Sequence, residues 1–484
     1  MRRLPAREGA FWLLVALGVP RLLGTLVTVG LRRFLGPGIA GTFDLAYTPY
    51  QFLDGFRNFG TGPALIYEET VDRRLADTAW TLNMAAAVLI TIAAQLLAAP
   101  IARFYGHPQI EPVFRALSIA YVFSSIASTH YFLLLRSLNF RRRAIPPIGQ
   151  VVAAGIISIL FAVWGFRIGA LVAREIASAI SGAILLWVLY PFRPTVQLMP
   201  HLSRRLLSYG LWIGAGLTLM YMSQNADVFI GGHIIHSTSQ IGFYTTSWTI
   251  AFITAGIFSL FGGNMVFPIL SRLRDNTDAL RERLLKALRQ IALLLVPVAV
   301  FIACAAPVLI TPVLGTKFSP FRSSFLVLSI LATYAGTRTL LAVFFEGYKA
   351  VGVPQVVPIY NLVKLVLTVP AMWYAAHFGI LGLAAVYVPV QIVEIPAGLL
   401  LAWRILDVSP ARVVRAIHSP LLASLIMAAG VLTVELGLTR HTHASDTVTL
   451  GACLVVAMLI YGGILSVLDR PVLVEARGVL LRGL

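Results

Sequence analysis

Residues 79–99 read AWTLNMAAAVLITIAAQLLAA, and none of them is charged. At 1.5 Å per residue, a helix of this length reaches about 30 Å, the thickness of a bilayer's hydrocarbon core. Comparable runs recur along the chain, at approximately 10–31, 39–59, 79–99, 113–135, 145–164, 168–190, 208–231, 241–264, 288–310, 322–345, 354–376, 379–403, 416–437 and 448–468. An unpaired backbone group is costly in lipid, so spans of this kind are expected to be helices. The fold expected is therefore an all-α polytopic membrane protein with about fourteen transmembrane helices.

Composition agrees. Of 484 residues, 58% are hydrophobic and only 12% charged, with a mean hydropathy of +0.84. A soluble chain carries roughly a quarter charged residues. The net charge of +18 comes from Lys and Arg placed between apolar runs, with no basic tail, so nucleic acid is not the expected partner. With the N-terminus inside, roughly 25 of the 38 Lys and Arg fall on the cytoplasmic side, a positive-inside bias. Arg141, Arg142 and Arg143 belong to that side, while Arg32, Arg33, Arg103 and Arg167 lie in the sparser outer gaps. Both termini are expected in the cytoplasm, and the first apolar run is too long for a cleaved signal and reads as a retained helix. From Asp278 to Gln290, Leu280, Leu284, Leu285 and Leu288 share one face opposite Arg281, Arg283, Lys286 and Arg289, the pattern of a basic helix resting on anionic lipid.

Internal repetition sets the domain expectation. Leu117-Ser118-Ile119 matches Leu328-Ser329-Ile330, and Pro147-Ile148-Gly149-Gln150 faces Pro358-Ile359-Tyr360-Asn361 in the same register. Gly41 and Gly242 open spans two and eight at a nearby offset, each followed two residues later by Phe43 or Tyr244. Two six-helix lobes are expected, residues 1–195 and 196–405, in parallel pseudo-repeat with a cavity between them, plus a terminal helix pair at 406–484.

The chain has no His-Glu-x-x-His, no Walker-A motif and no Gly-x-Ser-x-Gly elbow, and its connections are too short for a catalytic domain. Cys304 and Cys453 sit within apolar spans and give no disulfide framework. His441 and His443 read as solvated loop residues without a third metal ligand, so neither a metal nor another cofactor is expected. What stands out is charge within the spans, which usually faces a wet cavity or a partner. Arg21, Lys364 and Arg338 lie at comparable depth on different helices, an arrangement suited to an anionic headgroup such as a pyrophosphate. The competing reading pairs these cations with the acids Asp44, Asp227 or Glu394, which are also the candidates for a coupling ion, H+ or Na+. Asp54 and Arg57, three apart, are expected to neutralise each other, and Glu346 lies near an inner helix end. Prolines within spans, Pro20, Pro49, Pro297, Pro307, Pro370, Pro389 and Pro396, mark expected bends.

Several segments also resemble a known family. Arg33-Phe34-Leu35-Gly36-Pro37 followed by Gly41-Thr42-Phe43 is similar to the opening of Wzx-like polysaccharide-export flippases, within the multidrug/oligosaccharidyl-lipid/polysaccharide exporter superfamily. The resemblance continues through Phe59 to Ile66, Phe104-Tyr105-Gly106, Arg136 to Arg142, Asn225 to Gly231, Ile241 to Tyr244 and Phe267 to Leu273. A position usually acidic in that family is Asn58 here. The resemblance implies a two-lobed flippase of the bacterial inner membrane that moves a polyprenyl-pyrophosphate-linked oligosaccharide between leaflets by alternating access, for lipopolysaccharide or exopolysaccharide assembly. It makes Asp227 a functional candidate, and it implies membrane lipids and other polysaccharide-assembly membrane proteins as partners. Two alternatives stay open: a cation-coupled multidrug exporter, against which midplane Arg and Lys count, and a membrane glycan polymerase or transferase, against which the short outer loops count.

Overall fold

The computed structural model describes residues 6–57, 61–67, 71–136, 140–442 and 445–468. Asn58, Phe59, Gly60, Ser137, Leu138, Asn139, His443 and both termini lie outside the described residues, as does the side chain of His441. The helices are α1 Ala6–Leu35, α2 Pro37–Arg57, α3 Thr61–Tyr67, α4 Arg73–Tyr105, α5 Ile110–Ile126, α6 Ser128–Arg136, α7 Phe140–Val163, α8 Arg167–Leu189, α9 Pro200–Ile234 and α10 Thr238–Ala251. They continue with α11 Ile253–Phe261, α12 Phe267–Ser271, α13 Thr277–Cys304, α14 Ala306–Leu309, α15 Phe325–Ala350, α16 Val356–Ala375, α17 Gly379–Ala385, α18 Tyr387–Leu406, α19 Pro410–Gly437 and α20 Asp446–Leu468. Among the described residues there is no strand.

Among the described residues, ten helices are long and apolar enough to cross a membrane, or twelve if the bent pairs α5–α6 and α10–α11 each count as one span. The chain is therefore a multi-pass membrane protein, and the expected count of fourteen is not established by this measure. The difference falls on α2 and α9, which occupy the expected spans 39–59 and 208–231. Along α2, Asp44, Gln51, Asp54 and Arg57 dilute the hydropathy, yet every residue from Ala40 to Ala46 is buried. A polar helix enclosed by other helices does not need the apolar surface that lipid demands. The two sharp bends, 41° between α5 and α6 and 42° between α10 and α11, fall at Ala127 and Phe252 rather than at a proline. At the first break the freed Ile126 carbonyl accepts from the indole N–H of both Trp80 (3.1 Å) and Trp187 (3.3 Å).

Helix ends follow local chemistry. Gly36 (φ 92°) turns the chain between α1 and α2, and Pro37 opens α2 where no intrahelical N–H is required. Asp72 caps α4 by accepting from the Leu75 N–H at 2.9 Å, and Gly106 closes it in the left-handed conformation.

Two compact units emerge. The first comprises Met1–Thr245 and Tyr360–Gly379, so it holds α1 to α9, the first part of α10 and most of α16. Within it α7 packs on α1 and α8, α4 on α5, and α2 on α4, α5 and α9. The backbones of α2 and α10 almost touch: a Cβ on Gly41 would lie 1.8 Å from the Thr238 carbonyl oxygen, and one on Gly242 would lie 1.8 Å from that of Pro37.

The second unit comprises Thr246–Ile359 and Ile380–Leu484. Its main core joins Leu280, Leu284, Leu288 and Leu295 of α13 to Phe344 and Tyr348 of α15 and Leu406 of α18. A second cluster holds α19 and α20 against α13 and α14 through Met427, Val431, Cys453 and Ala305. The leucine face at 280–288 is thus covered by protein, with Leu284 fully buried. It does not rest on lipid as its amphipathic pattern suggests, because the segment is the first part of one continuous helix, α13, on which Arg283 and Lys286 remain exposed.

Gly41→Ala and Gly242→Ala are each expected to cost about 1–3 kcal/mol or more by forcing two backbones apart. Gly30→Ala, whose Cβ meets nothing within 4 Å, is expected to be neutral. Thermal unfolding of the detergent-solubilised variants, followed by size-exclusion chromatography, checks this; equal melting of all three would contradict the crossing.

Candidate functional site

The polar residues of the first unit converge on α2. Its charged and hydrogen-bonding side chains recur at Asp44, Tyr47, Gln51 and Asp54, the three- and four-residue steps of one helix face. The turn at Gly36 brings the last turn of α1 back alongside, so that Arg32 Nη2 lies 2.8 Å from Asp44 Oδ1. Arg32 is therefore part of a buried helix end rather than of the open loop in which its sequence position places it. Thr245 of α10 completes the group: its hydroxyl donates to Asp44 Oδ2 and accepts from Arg32 Nη1 (3.2 Å). All three residues are buried, at 8%, 6% and 7% exposure, which an isolated carboxylate would not tolerate.

A second group lies further along the stripe. Tyr47 donates to Glu175 Oε2 at 3.4 Å, and Gln51 donates to the Tyr47 hydroxyl. Glu175 pairs with Arg174 (3.3 Å), which also donates to Thr28 of α1 at 2.8 Å. Arg57 closes the stripe, paired with Asp54 at 2.6 Å as their spacing predicts, and donating to Ser125 at 3.3 Å. Tyr50 stacks on Tyr121 at 4.6 Å, and Tyr121 donates to the Tyr50 carbonyl at 2.6 Å. Tyr50, Arg57, Ser124, Gln150, Glu175 and Ser178 line a cavity of about 400 Å³ enclosed by α2, α5, α6, α7 and α8.

Asp227 of α9 is almost wholly buried and accepts from the Tyr244 hydroxyl at 2.7 Å. Consecutive residues of α10, Tyr244 and Thr245, thus hold both Asp227 and Asp44. Tyr221 of α9 donates to the Thr48 carbonyl of α2 at 3.1 Å, and Ser223 donates to the Asn361 carbonyl of α16 at 3.4 Å. One turn on from Asn361, Lys364 is buried at 7% exposure, whereas Arg21 on α1 is exposed. These two cations therefore occupy different environments within the first unit.

The remaining candidates belong to the second unit. Arg338 of α15 lies over the Phe252 ring at 5.8 Å, close to the stacked rings of Trp248, Tyr334 and Tyr387. Glu394 of α18 is buried. Glu346 is buried too and pairs with Lys349 at 2.6 Å. Arg174 and Glu175 are the functional-site residues missed in the sequence. Both sit mid-span within 168–190, and the criterion that singles out Arg21 applies equally to them. Among the described residues no group of three or more His, Cys, Asp or Glu is placed to hold a metal.

Helices throughout the described residues, with buried ion pairs inside the spans, define a polytopic membrane protein. Residues 31–323 match the family described as polysaccharide biosynthesis protein, and the chain belongs to that family. It is 24% identical over 361 residues to the succinoglycan biosynthesis transport protein ExoT of Rhizobium meliloti (strain 1021), covering 74% of this chain and 72% of that one. It is 22% identical over 411 residues to the teichuronic acid biosynthesis protein TuaB of Bacillus subtilis (strain 168), covering 84% and 83%. The fold is shared with a structure described as lipid II flippase MurJ in an inward closed conformation, at a TM-score of 0.75 and 14% identity, over 96% of this chain and all of that one.

Removing one partner of the buried pair should cost more than removing both. Arg32→Ala is expected to destabilise by about 3–5 kcal/mol by stranding Asp44, with Arg32→Ala/Asp44→Ala milder; a melting series in detergent decides. In the turn before α5, partial burial and then the neighbouring His236 push His107 below its ordinary value near 6.5. The unfolded chain then takes up a proton that folded His107 resists, so its contribution is intact above pH 6.5 and declines as pH falls through the folded value. Melting of His107→Asn against wild type between pH 5 and 7.5 should show a flatter dependence in the variant.

Proposed function

We propose that this protein translocates a polyprenyl-pyrophosphate-linked oligosaccharide across the bacterial inner membrane, for assembly of a surface polysaccharide. The observation that carries the reading is the coincidence of family and fold. The chain belongs to a polysaccharide biosynthesis family over residues 31–323, and shares its fold from end to end with a protein named as a lipid II flippase. ExoT, named as a transport protein of succinoglycan biosynthesis, points the same way.

In this reading residues 1–195 and 196–405 act as two lobes that alternate access, the helix pair of 406–484 is peripheral, and both termini face the cytoplasm. Arg21, Lys364 and Arg338 would meet the pyrophosphate, while the isoprenoid stays outside the cavity at the level of the bilayer and other polysaccharide-assembly proteins receive the product. Lys364 is supported most directly by its burial one turn from Asn361, whose carbonyl accepts from Ser223 of α9. If H+ or Na+ drives the cycle, Asp44, Asp227 and Glu394 are the candidates, all three of them buried.

The test is translocation in proteoliposomes, using a fluorescent polyprenyl-pyrophosphate oligosaccharide and a membrane-impermeant quencher. Wild type should expose the label faster than empty vesicles. Lys364→Ala and Arg21→Ala, shown to be folded, should each slow exposure about tenfold or more, as expected for losing a charge-assisted phosphate contact. Folded wild type that moves nothing, with or without a proton or sodium gradient, would overturn the reading.

A further inference from the structure

One large recess of the first unit is not polar. It is a groove of about 1180 Å³ with α8 as its floor, where Ile168, Val172, Ile176, Ile180 and Ile184 recur at every fourth residue. Pro112 and Val113 of α5 line one side, and Ile157 and Phe161 of α7 line the other. The volume exceeds the usual 300–1,000 Å³ of small-molecule pockets. It is recessed at its inner part, where Val172 and Ala177 are buried, and opens outward at Ile184, which is 59% exposed.

Its polarity is graded. Gln109, Arg167, Thr42 and Thr238 gather at one end, and the aliphatic ladder runs away from them. From Arg167 to Ile184 the floor extends about 25 Å at 1.5 Å per residue. No ion pair involving the exposed Arg167 guanidinium occurs among the described residues. The helices α2, α5, α8 and α10 all begin at this end, adding the positive ends of their dipoles.

We propose that this groove holds the isoprenoid chain of the translocated lipid, with its phosphate at Arg167. The inference rests on the flippase reading and adds to it where the tail is carried. Length selects the occupant. One leaflet is about 15 Å deep, half of a 30 Å core, so an acyl chain confined to its own leaflet fills little more than half of the floor. A chain that follows the groove to Ile184 passes the midplane, as a long polyprenyl can. Because hydrocarbon gains nothing by leaving lipid for an apolar wall, fit and the charged end must supply the selectivity. Under the orientation proposed above Arg167 faces the outer leaflet, so the groove takes the lipid as it arrives there.

The test uses the full-length protein in phosphatidylcholine nanodiscs and a long-chain polyprenyl phosphate with a photoreactive diazirine at the tail end. Crosslinked peptides are mapped by mass spectrometry. Label is expected between Ile180 and Trp187, displaced by unlabelled polyprenyl phosphate but not by equal phosphatidylglycerol. Ala173→Phe, which fills the groove, should lower labelling about tenfold or more. Arg167→Gln should lower it about threefold, the worth of an exposed ion pair. Label spread over lipid-facing helices, labelling indifferent to Ala173→Phe, or equal competition by phosphatidylglycerol overturns the proposal. Translocation is assayed on the same protein. Flipping without groove labelling overturns the groove alone, labelling without flipping overturns the flippase reading, and neither overturns both.

Discussion

A carboxylate enclosed by helices in a membrane must find a positive partner or many hydrogen bonds, and Asp44 imposes that requirement on everything around it. Arg32 can supply the charge only because Gly36 and Pro37 reverse the chain between α1 and α2. Thr245 can take the second oxygen only because α10 comes close enough, and it does so where Gly41 and Gly242 let two backbones meet. The glycines and the ion pair are therefore one device. A side chain at either glycine would push away the helix that completes the carboxylate's coordination.

The same logic extends along α2. Lipid tails are as apolar as leucine, so apolar surface alone does not tell a membrane helix which neighbour to choose. Directional contacts do. Tyr47 reaches Glu175 on α8, Tyr121 of α5 reaches the Tyr50 carbonyl, and Tyr221 of α9 reaches that of Thr48. Three neighbouring helices are oriented about α2 by these directional contacts. The second unit is built differently in its main core, with the leucines of α13 interlocking with Phe344, Tyr348 and Leu406.

Hydropathy makes the lipid-facing helices legible because lipid enforces a long uncharged run, as in 79–99 of α4. It serves α2 poorly, since a helix shielded from lipid is free of that rule. The glycine pair was visible as a repeat, but a repeat says nothing of contact; the backbone crossing needed coordinates in space. Arg32 was hidden by its place at a span end, where an arginine ordinarily reaches water. The leucine face at 280–288 misled for a related reason: an amphipathic stripe has the same sequence whether lipid or protein covers it. Among the candidate cations, depth alone does not separate buried Lys364 from exposed Arg21.

Helix α8 draws these themes together. Glu175, Ser178 and Gly182 face the polar cavity shared with α2, while Ile168, Val172, Ile176, Ile180 and Ile184 form the floor of the apolar groove. One helix thus separates a polar recess from an apolar one within a single compact unit. Arg174 and Glu175, neighbours on its polar side, pair at 3.3 Å. Their ion pair makes a polar face affordable on a helix whose other face must remain hydrocarbon. An amphipathic lipid-linked glycan presents the same division, a charged and hydroxylated head joined to a long apolar tail, and a helix with two such faces can address both without the two environments mixing.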